Sequence, residues 1–342
     1  MGIFNRKELT EIQDTVEIRI GEQPIPGWTI VRRLGEGGFG SVWCIERSTG
    51  NAKLREALKV IQIRDDERSR MMLQRELDTM LILREHPNIV RCDDFVFAKA
   101  KTDKWTGDAL LIRMELLTPL DTHFDINPPD ENEVIRMGTD ILTALDQLYK
   151  KNMLHRDIKP ANIFRNSFGV YKLGDYGLAR TVSDDANLSA CGTLVFMAPE
   201  ILNGEEYDHT VDMYALALTM YLYLRGGDMY SLPVPFERMS PRWIPEQGNI
   251  SSPVYKALKK ALARNPKERF TNPKEFLDAL RETEESPEIQ LADIVPEESV
   301  PATRETKLQN TERAVKLHRS KLENSIRESV SSVDAFLNSR KS

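Results

Sequence analysis

Cysteine is scarce: the 342 residues hold three, Cys44, Cys92 and Cys191, far apart and with no CxxC pair. Neither a disulfide framework nor a zinc cage can be read from them, and a reducing cytosol suits them best. Long apolar runs are also missing. The most apolar stretch, residues 213–224, lies between Asp212 and Arg225 and is too short to span a bilayer, so it reads as a buried core helix. The N-terminus, MGIFNRKELT, lacks the apolar run of a signal peptide, and Arg6 stands where a myristoylation signal has Ser or Thr. A cytoplasmic location is the expectation. Nor does one sign of charge prevail: 47 Lys+Arg face 53 Asp+Glu, net −6, which supplies no field to hold a nucleic-acid backbone.

What is present is an ordinary globular composition, 40% hydrophobic and 29% charged. At about 150 residues per domain, the length allows two domains or one bilobed domain, and there is room for an enzyme. Residues 1–27 form a mixed extension in which 15–20 alternate as a short strand would, before Pro24 and Pro26 break the pattern. From residue 28 to about 63, short β-rich runs separated by glycine turns read as an antiparallel hairpin series. Residues 65–83 then carry Met72, Leu77, Met80 and Leu81 at helical spacing, and 95–98 and 109–114 return to strand character. After Pro119 the pattern turns helical, beginning with 131–149 and continuing to Leu280. The expected fold class is therefore α+β: a small antiparallel-sheet lobe, residues 28–117, with one main helix, and a larger helical lobe, residues 118–281. Residues 282–303 read as an acidic linker, holding seven acids and no base up to residue 301. In 304–338, Leu308, Val315, Leu322, Ile326, Val330, Val333 and Leu337 recur as on one face of an amphipathic helix with a basic excess. That helix is a candidate for self-association, autoregulation, partner binding or weak membrane contact, or it is simply a solvated helix.

Several short patterns bear on chemistry. Gly35-Glu36-Gly37-Gly38-Phe39-Gly40 is a GxGxxG. In a dinucleotide site the last glycine opens a helix. Here residues 41–45 continue as a strand, so the glycines read as a hairpin tip able to lie over phosphates, with a plain turn as the alternative. Glu56-Ala57-Leu58-Lys59-Val60-Ile61 puts a lysine inside an apolar strand. A buried ammonium there needs a carboxylate, for which Glu76 on the following helix is the natural candidate; an edge-strand lysine in solvent is the alternative. In Leu154-His155-Arg156-Asp157-Ile158-Lys159-Pro160-Ala161-Asn162-Ile163-Phe164, followed by Asp175-Tyr176-Gly177, Asp157, Lys159, Asn162 and Asp175 supply a proton acceptor, a cation and oxygen ligands for Mg²⁺. Those are the groups that phosphoryl transfer to a hydroxyl requires.

On these motifs the chain resembles the eukaryotic-type (Hanks-type) serine/threonine protein kinases over roughly residues 28–280, with HRDIKPAN as the catalytic loop and DYG in place of DFG. The resemblance implies the bilobal kinase fold, ATP and Mg²⁺ as cofactors with Mn²⁺ as a substitute, and protein substrates bearing Ser or Thr. It also implies roles. Leu34, Gly35, Gly37, Gly38 and Gly40 would cover the nucleotide, and Val42 and Ala57 would sandwich the adenine with Phe164. Lys59 would hold the α- and β-phosphates while pairing with Glu76. Met114 would be the gatekeeper, Glu115 and Leu117 would bind the adenine edge through their backbones, and Asp121 would reach the ribose. Asp157 would be the catalytic base, Lys159 the γ-phosphate cation, and Asn162 and Asp175 the metal ligands. Gly192-Thr193 and Ala198-Pro199-Glu200 resemble the segment that docks a peptide, with Glu200 paired to Arg269 and Asp212 accepting backbone hydrogen bonds from the catalytic loop. Lys159 and Thr193 favour Ser/Thr over Tyr substrates. Arg156 beside the base implies an activating phosphate, with Ser189 as first candidate and Thr181 and Ser183 as lesser ones. The competing readings are a pseudokinase scaffold, which would usually lack the equivalents of Lys59, Asp157 or Asp175, and a small-molecule phosphotransferase, which would normally lack the Gly-Thr and APE segment.

Overall fold

The computed structural model describes residues 11–37, 40–63, 85–175, 194–240 and 242–284, with Leu77, Met80 and Leu83. Nearly all belong to one compact unit formed by Met1–Asp185 and Phe196–Glu285. Gly38, Glu76, Thr181, Ser183, Ser189, Thr193 and the chain from residue 285 onward, with its amphipathic 304–338 segment, lie outside the described residues.

The first lobe is a six-stranded sheet in the order β1-β5-β6-β4-β3-β2. Its strands are β1 (Glu11–Glu17), β2 (Thr29–Gly37), β3 (Gly40–Thr49), β4 (Ala52–Gln62), β5 (Cys92–Lys101) and β6 (Thr106–Glu115). Strand alternation sorts side chains by face. Leu58, Val60 and Leu111 join Ile30, Trp43 and Ile45 in one apolar cluster, while Ile61, Leu110 and Ile112 join Leu77, Met80 and Cys92 in another. The second cluster carries the helical residues Leu77 and Met80.

The expected strand over 15–20 is displaced: β1 runs Glu11–Glu17 and pairs parallel with β5. Alternation alone does not fix where a strand begins and ends, and pairing with β5 sets the earlier bounds. Ile18 still bonds to Lys101 O (2.8 Å), but its side chain turns into the first cluster with Ile25 and Trp28. Residues 11–27 are thus built into the sheet lobe, not appended to it. Strands β5 and β6 also run longer than the expected 95–98 and 109–114, because cross-strand pairing carries them through the polar ends Lys99 to Lys101 and Thr106 to Asp108.

The second lobe is helical, as expected. It contains α1 (Leu120–Ile126), α2 (Glu131–Lys150), α3 (Pro199–Leu202), α4 (Thr210–Leu224), α5 (Pro235–Arg238), α6 (Ser252–Ala261) and α7 (Pro273–Glu284). Helix α2 starts where Asp130 accepts the Glu133 N–H at 2.7 Å, a side-chain cap that satisfies an otherwise orphaned donor. Helix α4 is apolar all round and buried from Thr210 through Tyr223, so it is the central post of the lobe. A small sheet of β7 (Thr118–Pro119), β8 (Ile163–Arg165) and β9 (Tyr171–Leu173) was not foreseen, since strands of two or three residues carry no readable period.

Candidate active site

The glycine motif closes the β2–β3 hairpin, with Gly37 paired to Gly40. Gly40 has φ +150, and a Cβ there would meet Val60 O at 2.0 Å, so only glycine lets the tip lie this close to β4. The register slips between Arg33 and Gly35, placing Leu34 at an irregularity beside the tip. Residues directly paired across antiparallel strands share a face. Val42 pairs with Lys59, Lys59 with Ile112, and Ala57 with Met114, so Val42, Ala57, Lys59 and Met114 occupy one face. Lys59 is 8% exposed, and its Nζ donates to Asp175 Oδ1 at 2.7 Å. The ammonium beside Asp175 holds that carboxyl below its usual range. Asp175 of the DYG triplet is thus one carboxylate partner of Lys59; Glu76, the candidate from the sequence, lies outside the described residues.

The catalytic loop is fixed from below. Asp212, in the first turn of α4, accepts His155 N and Arg156 N, each at 2.7 Å, on its two carboxylate oxygens. Burial pushes the Asp212 carboxyl up, against these bonds and the nearby His155. Arg156 takes φ +66 and Asp175 φ +57, left-handed backbone of the kind that clusters at functional sites. Asp157 then becomes a hub: Lys159 Nζ lies 3.0 and 2.9 Å from its two carboxylate oxygens, and Asn162 Nδ2 donates to its Oδ2 (2.8 Å) and its carbonyl (2.7 Å). His155 Nε2 lies 2.9 Å from Gly174 O, and Gly174 N donates to Asn162 O at 2.9 Å. The loop and the segment just past β9 that carries Asp175 are thereby tied together. A Cβ on Gly174 would meet Phe164 and Val90 at 2.8 Å, so Phe164 packs directly against the residue before Asp175.

At the crossing between the lobes, Glu115 ends β6. Its Oε1 accepts both Arg91 N and Lys172 Nζ at 2.7 Å, and its own N–H bonds to Arg91 O. The side chain therefore locks the segment whose backbone is expected to meet adenine, while Leu117 follows half-buried. Asp121 is exposed and bonds to Thr122 N at 2.6 Å at the start of α1. On the docking side, Glu200 and Arg269 form a bidentate pair (2.6 and 2.8 Å) whose side chains are 2% and 0% exposed, as the resemblance implied.

The donor set fits Mg²⁺, which favours few protein oxygens plus phosphate and water. Asp175 presents a carboxylate with 47% side-chain exposure, and Asn162, its amide nitrogen engaged by Asp157, has its oxygen left for a cation. Among the described residues no cluster of three His, Cys, Asp or Glu forms an all-protein metal cage, and no helix is long and apolar enough to cross a membrane. Sequence reasoning did not assign the Glu115–Lys172 tie, the His155–Gly174 bond or the buried Arg238. The first two are visible only once β9 lies beside the hinge. Nothing in the letters around Arg238 marks it.

A family profile described as protein kinase domain matches residues 28–281. The Aurora kinase of Saccharomyces cerevisiae is 30% identical over 246 residues, covering 70% of this chain and 65% of that protein. Serine/threonine-protein kinase PknF of Mycobacterium tuberculosis is 32% identical over 281 residues, covering 74% and 56%. CBL-interacting serine/threonine-protein kinase 3 of Arabidopsis thaliana is 28% identical over 282 residues, covering 77% and 59%. The chain thus spans between 56% and 65% of the length of these relatives. With that match laid over a glycine hairpin, the Lys59–Asp175 pair and an Asp157 hub, the chain belongs to the protein kinase family.

Proposed function

We propose that this chain is a protein kinase that transfers the γ-phosphate of ATP to Ser and Thr hydroxyls of proteins. The observation that carries the reading is the Asp157 hub, with Lys159 and Asn162 bonded to its carboxylate. Asp157 accepts the proton of the attacking hydroxyl while its carboxylate aims the oxygen at phosphorus. The new O–P bond forms as the bond to the bridging oxygen breaks, and ADP leaves. Lys159, within reach of the same carboxylate, offsets charge on the transferred group, and Lys59 holds the α- and β-phosphates under the hairpin of Leu34, Gly35, Gly37, Gly38 and Gly40. Asn162 and Asp175 would hold Mg²⁺, which neutralises phosphate charge. Val42, Ala57, Met114 and Phe164 enclose the adenine, the backbones of Glu115 and Leu117 bind its edge, and Asp121 serves the ribose. Because Lys59, Asp157 and Asp175 are all present, the reading favours an active enzyme over a scaffold.

Ser189, with Thr181 and Ser183 behind it, remains the activation-segment phosphosite in this reading. The 304–338 helix serves self-association or autoregulation, and the protein works in the cytoplasm. The test is incubation of the full chain with Mg²⁺, γ-labelled ATP and an arrayed peptide library, followed by phosphoamino acid analysis. Label on Ser and Thr is expected. No transfer, or label confined to Tyr, overturns the reading.

A further inference from the structure

Arg238, the last residue of the short helix α5, is 1% exposed and among the largest fully buried side chains. Burying a guanidinium is unfavourable unless its donors are used, and an apolar side chain of similar volume would fill the space without that penalty. Its donors are used. Nε reaches Pro233 O at 3.3 Å, which sets the plane of the group, and Nη1 is shared between Tyr214 Oη at 3.0 Å and Met197 O at 3.2 Å.

The acceptors give the arrangement its meaning. Met197 precedes Ala198, the N-cap of α3, and Glu200 in α3 is gripped by Arg269. The Tyr214 ring of α4 lies beneath both cations, 4.7 Å from the Arg269 guanidinium and 5.7 Å from that of Arg238. Residues 197–200 are therefore held at two points, a backbone carbonyl by Arg238 and a carboxylate by Arg269, with one aromatic ring spacing the two arginines. Phe196 and Ala198 are buried, whereas Met197 between them is half-buried and accessible.

We propose that Arg238 is a positioning residue for phosphoacceptor binding. By clamping Met197 O it fixes the backbone that enters α3, against which the substrate chain docks, and it sets affinity for the acceptor peptide without touching nucleotide. This rests on the reading of the chain as a Ser/Thr kinase. The Glu200–Arg269 pair holds the helix itself, and the Arg238 bond holds the backbone just before it.

Steady-state kinetics on full-length wild type, R238M, R238K and Y214F test it, with ATP and the best peptide from the arrayed library varied separately. R238M is expected to raise the peptide KM about tenfold while the ATP KM stays within about twofold. Y214F, which keeps the ring and deletes one acceptor, is expected to raise the peptide KM about threefold, with R238K between the two because an ammonium reaches fewer acceptors. Peptide KM values equal to wild type, or ATP and peptide KM rising together as from general loosening, overturn the proposal. If R238M does not fold, Y214F and R238K decide by the same criterion. A wild type that binds nucleotide yet labels no peptide refutes the kinase reading itself, a result distinct from an unchanged KM in an active enzyme.

Discussion

Lys59 and Asp175 stand 116 positions apart in the chain and 2.7 Å apart in the fold. That contact joins β4 of the sheet lobe to the segment just past β9, and it sets against one another the ammonium and the carboxylate to which the proposed function gives phosphate and cation binding. Phosphate between them would be shared by both. Lys59→Met is therefore expected to lower phosphate transfer ~10²-fold or more, with the loss visible in kcat at saturating ATP. Retention of wild-type kcat would separate Lys59 from the chemistry.

Gly40 tests the hairpin. A methyl group at this position points into Val60 O, and the backbone conformation disfavours any side chain. Gly40→Ala should lift the tip away from β4 and raise the KM for ATP, with peptide KM unaffected. Gly107, near the start of β6, where an added Cβ meets nothing within 4 Å, is the control, and Gly107→Ala should leave the ATP KM much closer to wild type. Equal effects from the two substitutions would contradict the geometry.

The Glu200–Arg269 pair is closed to solvent, so removing one partner leaves the other charge buried. Arg269→Met should cost about 3–5 kcal/mol in urea unfolding. Arg269→Lys should recover only part of that, because an ammonium cannot make the two parallel bonds. A loss below ~1 kcal/mol would show that the pair is not structurally coupled.

Much of the site was legible before the fold was known, and the reason is physical. Asp157, Lys159, Asn162 and Asp175 stood out because they belong to two short motifs that carry the family resemblance, and Lys59 stood out because an ammonium in an apolar strand demands an anion. Helix α2 was readable from its apolar period and matched almost to the residue. What the letters could not reveal depends on distant pairing. The ends of β1 are set by β5, 86 positions downstream by the pairing of Glu11 with Phe97; the two- and three-residue strands β7 to β9 carry no period; and the partners of Glu115 and Arg238 come from segments brought alongside only by folding.

His86 supplies a pH dependence. Its Nδ1 lies 3.2 Å from Asn88 N, which donates to it, and burial holds the imidazole below its usual 6.5. The folded state thus favours the neutral ring. Stability from this source is complete above that value, where the unfolded chain is also neutral, and is lost as pH falls toward the lower folded value. Urea unfolding at about pH 7.5 and about pH 5.5 should show a larger acid loss for wild type than for His86→Asn, whose amide oxygen can take the same hydrogen bond. Identical losses would place His86 in water.

The most direct test of the central claim is a single-turnover measurement of γ-phosphate transfer from enzyme-bound ATP by wild type and Asp157→Asn, with nucleotide affinity measured on the same samples. ATP should bind both proteins with similar affinity, and transfer by the variant should be slower by ~10²- to 10³-fold. Equal transfer rates at equal occupancy would contradict the assignment of Asp157 as the proton acceptor and, with it, the reading of the site.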